Sequence, residues 1–442
     1  MSQADLLRKT SADVQIRLSI MMFLEFFIWG AWYVSMGPFM AASNMTAKIG
    51  VAYTLCPIAA IISPFFLGMV ADRFFSSERV LAAMHLLGAA AMFAVPMAAA
   101  AGPGPFLAVI LLHSIFYMPT INLTNSVAFT HLSNQEKEFP MVRVFGTLGW
   151  IAANLVISGT NNDAAAAQFQ IAGAAAVALG LFSLFLPHTP PPAKGRKASV
   201  REILGLDALT LFRSRSFAVF AISSFLIAIP LAAYYGFATN MVKTVLIVLH
   251  PENPNPASTA WMSVGQAAEV GFMLIMPFFF RKLGVKWMLA IGMLSWVARY
   301  ALFAAGVSGP LLTIIVIGIA LHGLCYDFFF VTGFIYTDKR ASRQIRGQAQ
   351  GLIVLLVYGL GLGIGGYLSG ELYNNIVGAA TGKAALPLYA KFWLWPCAFA
   401  GVVFLIFAAL FRDDTNEPPI GPNAEDSQRG FAVVTQGDAK TR

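Results

Sequence analysis

Long apolar segments dominate this chain and leave it few possible folds. A helix needs about 20 apolar residues to cross a bilayer core of about 30 Å. By that measure the chain has twelve candidate spans, at 18–40, 48–71, 79–101, 104–131, 143–160, 167–187, 217–243, 258–280, 286–306, 309–337, 346–370 and 391–411. The first run is too long for the apolar core of a signal peptide and lacks an A-x-A cleavage pattern, so we expect it to stay as the first span.

Composition supports a membrane protein and argues against several other classes. Of 442 residues, 58% are hydrophobic and only 11% charged, which is too little polar surface for a soluble globule of this size. The net charge of +8 comes from short basic clusters between apolar runs, so we expect no nucleic-acid partner. The three cysteines lie in apolar segments, and no Cys/His cluster predicts a metal or another cofactor.

Polar segments divide the chain into parts. We expect a cytoplasmic N-terminus (1–17), a six-helix bundle (18–187), a cytoplasmic linker (188–216), a second six-helix bundle (217–411) and a disordered cytoplasmic tail (412–442). Twelve spans place both termini on one side, and that side carries 24 of the 29 basic residues. The opposite loops carry Lys48, Lys243, Lys383 and Lys391, and Arg299 lies inside the ninth span. The positive-inside rule therefore predicts a multi-pass inner (cytoplasmic) membrane protein with both termini in the cytoplasm.

The two predicted bundles repeat one another. Three patterns recur in equivalent spans: Pro-Phe-Phe at 64–66 and 277–279, H-x-x-x-Y at 113–117 and 322–326, and an aromatic pair at 32–33 and 234–235. Their offsets of 213, 209 and 202 residues indicate a duplication. The predicted fold is an all-α membrane protein of twelve transmembrane helices in two pseudo-symmetric bundles, as in the major facilitator transporters, whose substrate site lies between the halves.

A motif between the second and third spans supports this class. The segment GMVADRFFSSERV contains Gly68, Asp72, Arg73 and Arg79 and resembles the G-x-x-x-D-R-x-x-x-R/K signature of the major facilitator superfamily. The resemblance implies a cytoplasmic latch that sets the balance of conformations, and a generic basic loop is the alternative. The equivalent FFFRKLGVK has no acid, so a weaker latch is expected there.

Ionisable residues inside the spans are the candidate functional groups, because a charge at a helix centre costs roughly 2.5 to 3.5 kcal/mol on insertion scales. In the eighth span Gln266 and Glu269 are i,i+3 neighbours on one helix face. Asp327 is similarly central in the tenth span, beside Tyr326 and about one turn from His322. We expect the two acids to converge on a cavity between the halves.

Other buried polar residues have structural interpretations. Two interpretations of Glu25 stay open: it is a functional acid, or it is a structural acid that is hydrogen-bonded to a neighbouring helix. Arg299 is expected to be a structural partner, since the ninth span of this fold is peripheral. His85 and His113 are expected to be core histidines with satisfied hydrogen bonds.

Five segments carry a closer resemblance: FLEFFIWGAWYVSMG, FPMVRVFGTLGW, SVGQAAEVGFMLIMPFFF, YDFFFVTGFIYTDK and IRGQAQGL. They resemble the bacterial nucleoside:proton symporters of the major facilitator superfamily. The resemblance implies a substrate site made of Arg143, Thr147, Trp150, Gln266, Glu269 and Asp327. Two places depart from the family pattern. Ala232 and Tyr235 stand where amides are usual, and His322 stands where an aromatic is usual, which leaves the substrate open.

The residue types suit proton-coupled nucleoside uptake by alternating access. Two carboxylates can accept ribose hydroxyls, Gln266 can read a base edge, and Trp150, Tyr234 or Tyr235 can stack on the base or sugar. One proton moving through 100 mV supplies about 2.3 kcal/mol, and a carboxylate in a site of low dielectric can carry it. We assign the proton to Asp327 and the substrate mainly to Glu269, and the reverse order stays open.

Three other functions are alternatives to nucleoside uptake. A symporter of a sugar or another polyhydroxy solute would need much the same polar groups, whereas an exporter of amphipathic compounds would have a less polar cavity. An integral membrane enzyme is disfavoured because the chain has no H-E-x-x-H or G-x-S-x-G motif. We therefore expect a transporter rather than an enzyme, working as a monomer in the lipid bilayer without a cofactor.

Overall fold

The structure is a computed structural model that describes residues 10–66, 75–191 and 205–421, with the side chains of residues 63–66 and Glu136 left out. Within these ranges the secondary structure is helical. The single extended pairing among the described residues is a parallel bridge between Ala341 and Ile420.

The first half contains six long helices. They are α1 (Ala12–Tyr33), α2 (Ile49–Phe66), α3 (Ser77–Ala101), α4 (Pro103–His131), α5 (Gln135–Gly159) and α6 (Ala167–Ser183). A short helix, Met36–Ala42, and a 3-10 turn, Thr46–Lys48, connect α1 to α2. Proline favours the first turn of a helix, and Pro103 begins α4.

The second half begins with α7 (Arg215–Leu249) and continues into Ser258–Ser308. That long element breaks at Gly284, whose φ of 68° and ψ of 179° suit glycine alone, so α8 is 258–283 and α9 is 285–308. The spans α10 and α11 each contain a π-helical segment. The first is Leu312–Cys325, Tyr326–Val331 and Thr332–Arg340, and the second is Arg346–Val354, Leu355–Gly361 and Leu362–Ile376. The last span, α12, is Gly382–Leu410.

The predicted number and type of spans are confirmed in the described ranges. Nine helices there are long and apolar enough to cross a membrane, Ser258–Ser308 being counted once, and Thr46–Ile62 and Ala167–Ser183 are shorter apolar helices. With the break at Gly284, these elements make twelve spans.

Several predicted helix ends are wrong. The helix α5 begins at Gln135 rather than at 143, because the Asn134 side chain accepts a hydrogen bond from the Lys137 backbone N–H and caps a polar first turn. The helix α12 begins at Gly382 rather than at 391, which puts Lys383 and Lys391 on a helix instead of in a loop. Counting apolar residues finds only the part of a helix that crosses the membrane core. The helix itself continues past that part until a capping residue ends its hydrogen bonding.

The prediction of disorder from Arg412 onward is wrong for the described part of the tail. Asp414 accepts hydrogen bonds from Tyr336 at 2.7 Å and Ser214 at 2.8 Å, and its Oδ2 lies 3.2 Å from Nε of the buried Arg340. Ile420 donates a backbone hydrogen bond to the Arg340 carbonyl at 2.7 Å. The tail supplies acceptors for a buried cation, which its mostly polar sequence does not reveal.

The predicted linker also has an ordered part. Leu206–Arg213 forms a 3-10 helix, and its Ala208 and Leu211 side chains are buried against the second half. The described part of the linker is therefore packed rather than a free polar connection.

Hydrogen bonds join the two halves at one end of the molecule. Asp163, in the loop after α5, accepts from the Thr259 backbone N–H at 2.7 Å, and Ala260 N–H donates to Ser158 at 2.9 Å. At the same end Asn374 donates to the Ala47 carbonyl at 3.1 Å. All hydrogen bonds that link described residues of the two halves lie at this end, which we call the closed end.

Candidate functional site

The second half contributes a buried polar chain from α9 through α10 to α8. Arg299 is fully buried, and its Nη2 lies 3.2 Å from Nδ1 of His322. The other ring nitrogen of His322, Nε2, lies 4.0 Å from Oε2 of Glu269, whose side chain is 15% exposed. Glu269 is therefore the member of this chain that reaches accessible space, and Arg299 lies behind it.

Tyr234 packs inside this half. Its ring stacks on His322 with centroids 5.4 Å apart, and Arg299 lies over it at 4.5 Å. The Tyr234 hydroxyl is buried without a hydrogen-bond partner. Tyr234 thus forms the wall behind His322 and is less suited to stacking on a substrate than its neighbour Tyr235.

Aromatic residues of both halves meet at Tyr235. It is half-buried, and its ring contacts Tyr33 of α1 at 5.9 Å. Trp150 of α5 lies 6.4 Å from Tyr33 and 5.4 Å from Trp29, with its indole N–H unpartnered. The structure therefore brings Trp150 and Tyr235 to one aromatic surface at the seam between the halves.

The α5 candidates are held against α1. The Arg143 guanidinium lies 4.1 Å from the centre of the Phe26 ring, and both Arg143 and Thr147 are half-buried. The Arg143 guanidinium lies within electrostatic range of the Glu269 carboxyl group across the seam. None of the hydrogen bonds or ion pairs among the described residues uses Arg143, so its donors are available to a ligand.

Unpartnered polar atoms cluster in the second half near Glu269. Gln266 Oε1, Ser263 Oγ and both carboxylate oxygens of Asp327 are buried without hydrogen bonds to protein. Asp327 is fully buried in the π-helical segment of α10, close enough to Glu269 for the two carboxyl groups to interact electrostatically. Leaving such groups unpaired costs about 1 to 3 kcal/mol each, which marks a place where polar ligands or protons belong.

Four latch residues were predicted. Gly68, Asp72 and Arg73 lie outside the described residues. Arg79 lies in the first turn of α3 and is exposed.

Glu25 has a structural set of partners. Its Oε2 lies 2.9 Å from His85 Nε2, and its Oε1 accepts from Thr120 at 2.7 Å. Tyr117 donates to the Glu25 backbone carbonyl at 2.6 Å. Both carboxylate oxygens are occupied within the first half, so Glu25 is a packed structural acid, and His85 is satisfied as expected. His113 bonds the Gly88 carbonyl through Nδ1 at 3.0 Å, while its Nε2 is unpartnered.

Sequence reasoning left two contributors out of the candidate site. Arg299 was expected to be a structural partner on a peripheral span, and it contacts His322 directly. Tyr358 of α11 was not singled out, and its hydroxyl lies 2.7 Å from that of Tyr326. A buried arginine within an apolar span was the available signal for the first, whereas a tyrosine in LLVYGLG carries none.

Comparison with known proteins gives a consistent result over nearly the whole chain. The family model described as nucleoside H⁺ symporter matches residues 12–416. The putative nucleoside transporter YegT of Escherichia coli (strain K12) is 38% identical over 418 residues, which cover 91% of this chain and 94% of that protein. The nucleoside permease NupG of the same organism is 31% identical, with 92% and 98% covered.

Solved structures agree. The crystal structure of the nucleoside transporter NupG matches with a TM-score of 0.79 and 30% identity, covering 90% of this chain and 99% of that one. A bacterial homologue of the human lysosomal transporter Spinster matches with a TM-score of 0.70 and 14% identity, covering 93% and 98%, which is a likeness of fold alone. The predicted major facilitator fold is confirmed.

Proposed function

We propose that this chain, which belongs to the nucleoside H⁺ symporter family, carries nucleosides into the cell together with protons. The family predicted from five sequence segments is confirmed by the match over residues 12–416. Proteins of this family are transporters, which also confirms that the chain is not an enzyme. As a membrane transporter with bacterial permease relatives, it belongs in the inner membrane.

The observation that carries the proposal is a set of unpartnered polar atoms beside the aromatic surface that Trp150 and Tyr235 form. Gln266 Oε1 and the Asp327 oxygens have no protein partner, and Arg143 has free donors on the opposite half. A nucleoside offers hydroxyls, base-edge donors and acceptors, and a flat ring, so it can pair with Gln266 and Arg143 and stack on the aromatic rings at once, while the Asp327 oxygens are left for the proton. The seam between the halves is where alternating access places a substrate.

The division of work follows from exposure. Glu269 reaches accessible space and would accept ribose hydroxyls, with Gln266 one helical turn away for the base edge. Trp150 and Tyr235 would stack on the base, and Arg143 and Thr147 would donate from the opposite half. Asp327 is fully buried, so it would carry the proton rather than touch the sugar.

The proposed topology shows which side of the membrane the closed end faces. With both termini in the cytoplasm, the loops that contain Asp163 and Asn255 face outward, so the outer end is closed and substrate leaves toward the cytoplasm. That the functional unit is a monomer stays a prediction.

A ligand panel tests the proposal. The purified protein is incubated with purine and pyrimidine nucleosides, free bases and sugars, and its thermal stability is measured. Nucleosides should raise the midpoint by mass action, since a ligand at 100 times its Kd contributes about 2.7 kcal/mol. Proteoliposomes with an inward proton gradient should then accumulate the stabilising nucleosides. Stabilisation by sugars alone would support a polyhydroxy-solute symporter instead.

A further inference from the structure

Arg299 is a buried cation whose function the proposed site does not use. It is fully buried on α9, and its Nε and Nη1 atoms have no hydrogen-bond partner. Its one hydrogen bond joins Nη2 to His322 Nδ1 at 3.2 Å, and its guanidinium also lies over the Tyr234 ring. Burying a charge with so few partners is costly, so the contact with His322 needs an explanation beyond packing.

The direction of that hydrogen bond fixes the state of the imidazole. A guanidinium has donors only and no acceptor, so Nδ1 of His322 must be the acceptor and carries no proton. A neutral imidazole has one N–H, which therefore lies on Nε2. That nitrogen is the one that lies 4.0 Å from Glu269 Oε2.

The surroundings hold the ring in this orientation. Tyr234 stacks on His322 with an interplanar angle of 17°, and Tyr326 contacts it from the next turn of α10 with centroids 5.6 Å apart. The charged groups that face the ring are Arg299 on one side and Glu269 on the other. Rotating the ring by 180° would point carbon atoms at both of them.

We propose that Arg299 is a positioning residue that holds His322 as the Nε2–H tautomer, so that His322 and Glu269 form a donor and acceptor pair for a single substrate hydroxyl. A hydroxyl oxygen can accept from Nε2–H and donate to the carboxylate at the same time. Two hydrogen bonds of about 2.8 Å that meet at roughly a right angle on one oxygen span about 4 Å, which matches the separation of 4.0 Å. The inference rests on the proposed function, since the hydroxyl belongs to the ribose.

The same pair would select against deoxynucleosides. Removing the bridging hydroxyl leaves both the His322 donor and the Glu269 acceptor without a partner in a mostly buried place. A site built to bind a hydroxyl rejects the analogue that lacks it, because its own polar groups are then left unpaired.

The test compares uridine with 2′-deoxyuridine and 3′-deoxyuridine, and adenosine with its deoxy analogues, by kcat/KM for uptake in proteoliposomes. For wild type we expect at least about tenfold preference for the hydroxyl at one ribose position, the effect of one hydrogen bond to a charged group. Arg299→Met should reduce that preference toward equality, and Arg299→Lys, which keeps a cationic donor, should restore most of it.

A second pair of variants separates positioning from packing. His322→Gln places an amide N–H near the original Nε2 and should keep the preference, and adding Arg299→Met to it should change the preference little. His322→Asn, whose shorter amide falls nearer Nδ1, should lose the preference. If Arg299→Met slows all nucleosides equally and leaves the preference unchanged, or acts equally in the His322→Gln background, the positioning role is overturned.

A measurement on the wild-type protein covers the case in which Arg299→Met does not fold. In protein labelled with ¹⁵N-histidine, the signal assigned to His322 by comparison with His322→Gln should show protonation at Nε2 and not at Nδ1. Protonation at Nδ1 would refute the proposal. A wild-type protein that transports no nucleoside would contradict the proposed function instead, while this tautomer would still be found.

Discussion

Asp163 of the first half caps the beginning of α8 in the second half. Its Oδ1 lies 2.7 Å from the Thr259 backbone nitrogen and 3.4 Å from the Ser258 hydroxyl, and the residue is fully buried. The first N–H groups of a helix lack intrahelical acceptors, and a carboxylate also interacts favourably with that end of the helix dipole. Because α8 carries Glu269, the contact ties the closed end of the molecule to the helix of the proposed site.

Removing this cap should shift the conformational balance. Loss of an N-cap typically costs about 1 kcal/mol, so Asp163→Ala should favour the state in which the closed end opens by roughly fivefold. The reporter is Thr54→Cys, on α2 where it packs against Gly366 of α11, in a background without the three native cysteines. A membrane-impermeant maleimide should label it several times faster in Asp163→Ala. Asp163→Asn keeps an acceptor oxygen and serves as the control, and labelling of Asp163→Ala at the control rate would disprove the cap.

Asp327 should couple transport to the proton. Asp327→Asn removes the titrating group but keeps a side chain of the same shape, so we expect loss of uphill uptake driven by a pH gradient while exchange of internal for external nucleoside continues. Asp338→Asn is the matched control, because Asp338 lies on the same span but is about half exposed and pairs with Arg346. Both are measured in proteoliposomes. Gradient-driven accumulation at the wild-type level in Asp327→Asn would move the proton to Glu269.

The internal duplication let the sequence predict equivalent aromatic contacts in the two halves. In the first half His113 stacks on Tyr117 with centroids 5.6 Å apart and meets the Trp32 ring edge-on at 5.6 Å. In the second half His322 contacts Tyr326 and Tyr234 at similar distances, 5.6 and 5.4 Å, although here Tyr234 is the ring that stacks on the imidazole. The shared H-x-x-x-Y spacing predicts this correspondence, because a helix repeats regularly and residues four apart lie on one face.

The difference between the halves was not predictable in the same way. His113 Nδ1 lies against the backbone carbonyl of Gly88. His322 Nδ1 instead accepts a hydrogen bond from the side chain of Arg299. Whether a buried arginine turns toward a histidine or toward a helix end depends on the packing of three helices. Spacing within one helix does not contain that information.

Loops and ends depend on distant partners in the same way. Asp163 stands in the polar segment NNDAAAAQ, where an acid would be expected to lie in water, and it is buried because the other half folds over it. The predictions from apolar length succeeded because they need only local sequence. Those for the tail and for the ends of α5 and α12 failed because caps and ion pairs decide them.

The tail should stabilise the second half through Arg340. Deleting residues 412–442 would leave this buried guanidinium without Asp414 and without the Glu417 and Pro418 carbonyls, which accept at 2.9 and 3.0 Å. Removing the partner of a buried charge costs about 3 to 5 kcal/mol, so the thermal midpoint of the purified protein should fall clearly. Deleting only residues 422–442 keeps these contacts and is the control. Equal midpoints for the two truncations would show that the Asp414 contact contributes nothing.

The close approach of α1 and α5 should tolerate no side chain at Gly149. A Cβ added there would overlap the Phe23 carbonyl oxygen and lie 2.9 Å from its carbonyl carbon, and both are backbone atoms that cannot turn aside. Gly149→Ala should therefore push the helices apart at a cost of about 1 to 3 kcal/mol, displacing Trp150 and Thr147 from the seam. We expect a lower thermal midpoint and a weaker response to nucleoside. Gly159→Ala, at the end of the same helix with no atom within 4 Å of the added Cβ, should leave both unchanged. If Gly149→Ala matches Gly159→Ala in stability and uptake, close packing of α5 on α1 does not position the site.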